Sequence, residues 1–242
     1  MTTSEIRNSA GERIDVSYHP GQKLGSLVIL GHGVTGNKDR PLLVAVAKGL
    51  AERGWACLRI SYSGNGASEG DFGDSCITKE VGDLQSVIRS VPQEVNVAYI
   101  GHSMGGAVGV MTASRDARIR VLVSLAGMTH TADFAKREFG DVTPGQGNMW
   151  EEPEHPLSET YWNDLTSIGS TLEAAAQVIQ PWLLVHGDAD DLVPIQDGEE
   201  AFAAATCEKQ WLPVAGAGHV FDESTYPVIV ETVDAWLRKH LG

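Results

Sequence analysis

The stretch Val95-Asn96-Val97-Ala98-Tyr99-Ile100-Gly101-His102-Ser103-Met104-Gly105-Gly106-Ala107-Val108-Gly109-Val110-Met111 changes character twice within seventeen residues. Val95 to Ile100 is a nearly continuous apolar run, the pattern of a strand covered on both faces. Gly106 to Met111 opens a helix, and Gly-His-Ser-Met-Gly stands between the two with no spacer. The chain must therefore turn sharply at Ser103. Glycines at 101 and 105 remove the Cβ atoms that would collide with the neighbouring strand and helix, while Ser103 is forced into a strained conformation that exposes its hydroxyl at the helix N-terminus. The backbone N–H of Met104, one of the unpaired donors of a helix start, can point at an oxyanion. Ser103 is the candidate nucleophile. The same pattern recurs at Gly66-Ala67-Ser68-Glu69-Gly70, but it follows its strand only after a polar loop and runs on into Asp71-Phe72-Gly73-Asp74, which starts no helix. Ser68 is read as a decoy.

Outward from this turn the sequence alternates between two periods. Ile14 to Tyr18, Leu27 to Leu30, Ala56 to Tyr62, Val121 to Ala126 and Trp182 to His186 read, with Val95 to Ile100, as strands. Ile77, Val81, Leu84, Val87 and Ile88 fall on one helical stripe. The last helix has Pro227 in its first turn, Ile229, Val233, Trp236 and Leu237 as its buried stripe, and Arg238, Lys239 and His240 near its C-terminus, where they complement the helix dipole. This alternation predicts a mostly parallel α/β sheet with helices on both faces. The rhythm breaks from about Gly127 to Gly169, where no clear period is found; Trp150, Tyr161 and Trp162 mark this interval as an ordered lid.

The chain has 242 residues, of which 42% are hydrophobic, and is read as one domain, residues 1–242, with the lid inserted at about 127–169. Eighteen Lys and Arg against 32 Asp and Glu give a formal charge of −14, which excludes a basic nucleic-acid footprint. No apolar run approaches the ~20 residues of a membrane span. Met1-Thr2-Thr3-Ser4-Glu5 lacks the basic start and apolar stretch of a secretory signal, so a cytoplasmic location is expected. Cys57, Cys76 and Cys207 show neither disulfide-framework nor metal spacing and are expected to be reduced, mostly buried thiols.

A serine nucleophile needs a base, and the base an orienting carboxylate. Trp182 to His186 runs into Gly187-Asp188-Ala189-Asp190-Asp191-Leu192-Val193-Pro194, and His219 follows downstream in Gly216-Ala217-Gly218-His219, where glycines suit a tight loop returning an imidazole to the sheet edge. His32, His102 and His186 also adjoin strand ends and are read as structural hydrogen-bonders. The order serine, aspartate, histidine is that of the α/β-hydrolase fold.

With these residues in hand, the sequence resembles the α/β-hydrolase superfamily, and within it small serine esterases of the cinnamoyl or feruloyl esterase and monoacylglycerol-lipase-like group. The resemblance is carried by Gly31-His32-Gly33-Val34-Thr35-Gly36-Asn37-Lys38, by Tyr62-Ser63-Gly64-Asn65-Gly66-Ala67-Ser68-Glu69-Gly70, by the Ser103 turn, and by the loops of Asp190 and His219. It implies the α/β-hydrolase fold with a short lid. It places the acid at Asp190 rather than Asp188 or Asp191, and makes Val34 the second oxyanion donor beside Met104. Val34 stands where the cinnamoyl esterases are expected to carry Phe; the backbone donor survives that change and the aromatic wall does not.

The expected activity is cleavage of small-molecule carboxylic esters of small or medium acyl or aryl acids, through an acyl-enzyme on Ser103, with no cofactor and no metal. Trp150, Tyr161 and Trp162 are the expected apolar walls of the substrate site. Glu151, Glu152 and Glu154 are read as a solvated rim; as an ammonium site they would favour an amidase or aminopeptidase-like reaction on the same triad. A non-catalytic binding module on this fold is the third reading.

Overall fold

In the computed structural model, which describes residues 5–242, the chain is built around an open sheet; Met1 to Ser4 lie outside the described residues. In chain order the elements are β1 (Val16–His19), β2 (Ser26–Gly31), α1 (Pro41–Glu52), β3 (Ala56–Ile60), α2 (Ile77–Ser90), β4 (Asn96–His102), α3 (Met104–Ala113) and β5 (Ile119–Leu125). There follow α4 (Thr131–Phe139), α5 (Glu159–Ile168), α6 (Leu172–Gln177), β6 (Trp182–Gly187), α7 (Ile195–Ala204), β7 (Lys209–Val214) and α8 (Tyr226–Leu241). The strands lie in the order β1-β3-β2-β4-β5-β6-β7, all parallel except β1, which runs antiparallel to β3.

The continuous apolar runs are explained by burial on both faces. Leu27 and Ile29 of β2 and Val97 and Tyr99 of β4 face the layer of α2 and α3, whereas Val28, Leu30, Ala98 and Ile100 face the layer of α1 and α8. The α2 stripe of Ile77, Leu84, Val87 and Ile88 and the α8 stripe of Ile229, Val233, Trp236 and Leu237 are buried as their spacing requires. Among the described residues no helix is long and apolar enough to cross a membrane. All three cysteines are free; burial pushes the Cys57 thiol up to about 12 and the Cys76 thiol up to about 11.

Two parts of the fold differ from the sequence expectation. The apolar pattern does not mark β7, because this strand lies at the sheet edge, is only half-buried and contains Pro213; a missing N–H is tolerated at an edge. The interval from 127 to 169 is also more regular than its lack of period suggests, holding α4 and α5. The start of α4 carries no local cap. The N–H groups of Thr129 and His130, just before its first turn, are instead taken by the Asp197 carboxylate of α7, at 2.7 and 2.9 Å, a partner 67 residues or more away. Ser158, by contrast, caps α5 locally by accepting from the Tyr161 N–H at 3.0 Å.

His32, at the end of β2, is wholly buried. Its Nδ1–H donates to the Gly33 carbonyl at 2.8 Å, and its Nε2 accepts the Tyr62 N–H at 3.0 Å. A second proton on Nε2 would face a donor. Burial accordingly pushes His32 down to about 4 from the ordinary 6.5. Between those values the unfolded chain holds the extra proton and the folded one does not, so stability falls as pH drops from 6.5 toward 4. The loss is on the order of 3 kcal/mol from this residue. Urea midpoints across this window should fall, and His32→Gln should be less stable at neutral pH but decline less on acidification. An unchanged decline in that variant would assign the acid sensitivity elsewhere.

Candidate active site

The turn between β4 and α3 holds Ser103 at φ 57°, ψ −123°, a strain of ~1 to 3 kcal/mol for a side chain with a Cβ. Backbone bonds hold it there: Ser103 N–H donates to Leu125 O at 3.0 Å, and Ser103 O accepts from Gly106 N–H at 2.8 Å and Met128 N–H at 3.1 Å. The flanking glycines are steric requirements. A Cβ on Gly101 would lie 2.1 Å from Gly105 O, and one on Gly105 would lie 2.5 Å from His32 O. A Cβ on Gly33 would lie 2.6 Å from Ser103 Cβ, so the loop after β2 meets the serine as bare backbone. The next residue is Val34. Neither its N–H nor that of Met104, the first residue of α3, has a hydrogen-bond partner among the described residues.

Across the sheet edge, His219 Nδ1 lies 2.9 Å from Asp190 Oδ2. The Asp190 side chain is completely buried, and both of its oxygens are hydrogen-bonded. Oδ1 accepts from the N–H groups of Leu192 at 3.0 Å and Val193 at 2.8 Å. Oδ2 accepts from His219, and His186 Nε2, which donates to the Val193 carbonyl at 2.9 Å, lies 3.3 Å from the same oxygen. Burial pushes this carboxyl up, but the bonds from His186, His219 and Val193 outweigh it and hold Asp190 well below the usual carboxylate range. Asp188 is exposed and accepts from the Gly216 N–H at 2.6 Å, bracing the histidine loop. Asp191 is exposed at the edge of the cleft. Ser68 is far from this chemistry: its hydroxyl donates to Ser61 O at 2.7 Å and accepts the Asp15 N–H at 2.8 Å, which ties a loop to the outer strands.

Ser103, His219, His102 and Val34 line one cleft of about 870 Å³, within the range of small-molecule sites. Of the three aromatics singled out in the sequence, Trp150 reaches this cleft, with its indole N–H donating to Glu138 Oε2 at 3.2 Å and its ring edge-on to Phe139 at 5.0 Å. Tyr161 and Trp162 do not line it. Tyr161 is buried behind the turn, its hydroxyl donating to Met104 Sδ at 3.4 Å, and Trp162 packs half-buried against the core. The helical period of α5 explains this, since its inward face is the one that covers α2 and the protein interior. Phe134 and Glu138 of α4, Leu42 of α1 and Tyr226 of α8 also line the cleft and carried no sequence signal of doing so. Glu152, 2.6 Å from His155 Nδ1, lies on the wall shared by this cleft and a neighbouring surface depression, which Glu151 and Glu154 line without reaching the cleft.

A family model described as the alpha/beta hydrolase family matches residues 28–231. An uncharacterized protein of Mycobacterium tuberculosis is 27% identical over 218 residues, covering 88% of this chain and 70% of its own length. The human mitochondrial palmitoyl-protein thioesterase ABHD10 is 27% identical over 163 residues, covering 62% of this chain and 52% of its own. Among solved structures, Est1E from Butyrivibrio proteoclasticus with ferulic acid bound superposes with a TM-score of 0.84 at 21% identity, over 99% of both chains. Mouse alpha/beta hydrolase domain-containing protein 10 superposes with a TM-score of 0.82 at 19% identity, over 98% of both. The family match spans the strands that carry the turn at Ser103, the acid loop and the histidine loop, and the chain belongs to the alpha/beta hydrolase family.

Proposed function

We propose that the protein is a serine hydrolase that cleaves small-molecule carboxylic esters of small or medium acyl or aryl acids, a single cytoplasmic domain whose segment between β5 and β6 serves as a lid. The observation that carries the reading is the buried Asp190–His219 pair, 2.9 Å apart, opening onto the cleft that holds the strained Ser103. With Asp190 ionised, the proton of neutral His219 sits on Nδ1, and Nε2 keeps a lone pair for the serine. Ser103 Oγ attacks the ester carbonyl as its proton passes to His219 Nε2. The oxyanion is received by the N–H groups of Val34 and Met104, which no other group occupies among the described residues. The tetrahedral intermediate expels the alcohol, which takes the proton from His219 and leaves an acyl group on Ser103. Water, deprotonated by His219, then releases the acid and restores the serine. No cofactor enters these steps.

A second reading, amide or peptide-bond cleavage, is favoured by one observation, the Glu152 carboxylate on the cleft wall, placed to receive an ammonium group. A hydrolysis panel separates the two: short and long acyl esters, aryl-acid esters, acyl thioesters, and amino-acid amides. Higher kcat/KM for the esters supports the first reading; preference for the amides would replace it with the second.

The same panel tests the lid. Trp150→Ala should redistribute kcat/KM between small and bulky esters by ~1 to 3 kcal/mol, the scale of a lost pocket contact. Tyr161→Ala and Trp162→Ala should instead lower the melting temperature and depress all esters alike. A uniform effect of Trp150→Ala would make its indole a scaffold group rather than a wall of the site.

A further inference from the structure

The loop that carries His219 is anchored on two sides. Toward β6 it is held by several bonds: Ala189 N–H to Ala217 O at 3.0 Å, Gly216 N–H to Asp188 Oδ1 at 2.6 Å, and His219 Nδ1 to Asp190 at 2.9 Å. Toward β4, the strand that presents the nucleophile, it is held among the described residues by one hydrogen bond, from His102 Nε2 to the backbone carbonyl of His219 at 3.0 Å. A carbonyl only accepts, so Nε2 is the protonated nitrogen of His102. The ring is buried at 8% exposure and lies 5.0 Å from the His219 ring. Burial, with the neighbouring His219, pushes His102 down to about 3, so it stays the neutral donor that this bond requires.

We propose that His102 is a positioning residue that sets the spacing between Ser103 and His219, by tying the carbonyl of the base to the strand end from which the nucleophile projects. The proposal rests on the serine-hydrolase reading above. The peptide bond from His102 to Ser103 makes the coupling direct, since one rigid turn carries both the attacking hydroxyl and the donor that holds the base. Without that donor His219 is fixed only from the acid side, and its imidazole can swing about the Asp190 bond. The loss falls on proton transfer from Ser103, not on binding of substrate.

The test compares His102→Asn with His102→Gln. The glutamine amide reaches about as far as Nε2 and keeps a donor for the His219 carbonyl; the asparagine amide stops near the position of Nδ1. His102→Asn should lose about 10²-fold in kcat and in the rate of inactivation by a fluorophosphonate, the scale of a small misplacement of a reacting group, with KM within about twofold. His102→Gln should recover at least about tenfold of both rates. Rates are normalised to the cooperatively melting fraction, and His102→Leu, which keeps bulk and lacks a donor, replaces His102→Asn if the latter does not fold. Unchanged kcat in the donor-less variant, equal losses in both variants, or a change confined to KM would overturn the proposal. Wild-type protein that hydrolyses esters without reacting with the fluorophosphonate would reject the serine-hydrolase reading itself, and this is seen before any variant is compared.

Discussion

Ser103→Ala should lose on the order of 10⁶ in kcat, or ~8 kcal/mol of barrier, while the protein stays folded. The substitution removes one oxygen from a side chain that lines the cleft, and the backbone bonds that fix the turn remain. Alanine tolerates the φ of 57° no worse than serine does, so the melting temperature should hardly change. Ser68→Ala gives the control. Its hydroxyl bridges Asp15 and Ser61, so its loss should cost about 1 kcal/mol of stability and leave kcat nearly intact. Steady-state kinetics and thermal melts of the two variants check both statements, and comparable activity losses would remove Ser103 from its assigned place.

Asp190→Asn should cost roughly 10⁴ in kcat, the scale of the same substitution in the serine-protease triad, where the amide imposes the wrong imidazole tautomer. The surroundings of Asp190 make the effect severe here. The groups that bond its two oxygens are donors, the N–H groups of Leu192 and Val193 on one and His219 on the other, with the protonated Nε2 of His186, bonded to the Val193 carbonyl, 3.3 Å from the second. An amide must turn its own NH₂ toward one of these pairs. If it faces the backbone donors, a buried repulsion destabilises the loop; if it faces the histidines, His219 must accept at Nδ1 and carry its proton on Nε2, where it cannot take one from Ser103. Asp188→Asn should be much milder, because its exposed carboxylate only braces the Gly216 N–H and an amide oxygen can do the same. A dead 188 variant beside an active 190 variant would move the acid by two residues.

What the sequence showed and what it hid follow from the range of the interactions involved. The nucleophile turn is local chemistry: a strand, two glycines whose Cβ atoms would strike backbone, and a helix start lie within a few residues, and their pattern is readable without knowing the rest of the chain. The α8 stripe is equally local. The start of α4 is not, because the N–H groups of Thr129 and His130 that lead into it are taken by Asp197 on α7 and no capping side chain marks the spot. With α4 unseen, Phe134 and Glu138 could not be placed at the cleft. Nor could the inward turn of α5, which sends Tyr161 to Met104 and away from the opening. The pairing of one carboxylate with two imidazoles was likewise hidden, since His186 and His219 lie 33 positions apart in the chain and meet only when β6 and the loop after β7 come together at the sheet edge.

The most direct test of an acyl-enzyme on Ser103 is covalent trapping. Wild-type protein treated with a fluorophosphonate, digested and analysed by mass spectrometry should carry one phosphonyl group, on the peptide containing Ser103. That adduct should be absent from Ser103→Ala and form far more slowly in His219→Ala. An adduct on Ser68, or undiminished ester hydrolysis by protein that carries no adduct at Ser103, would contradict the mechanism.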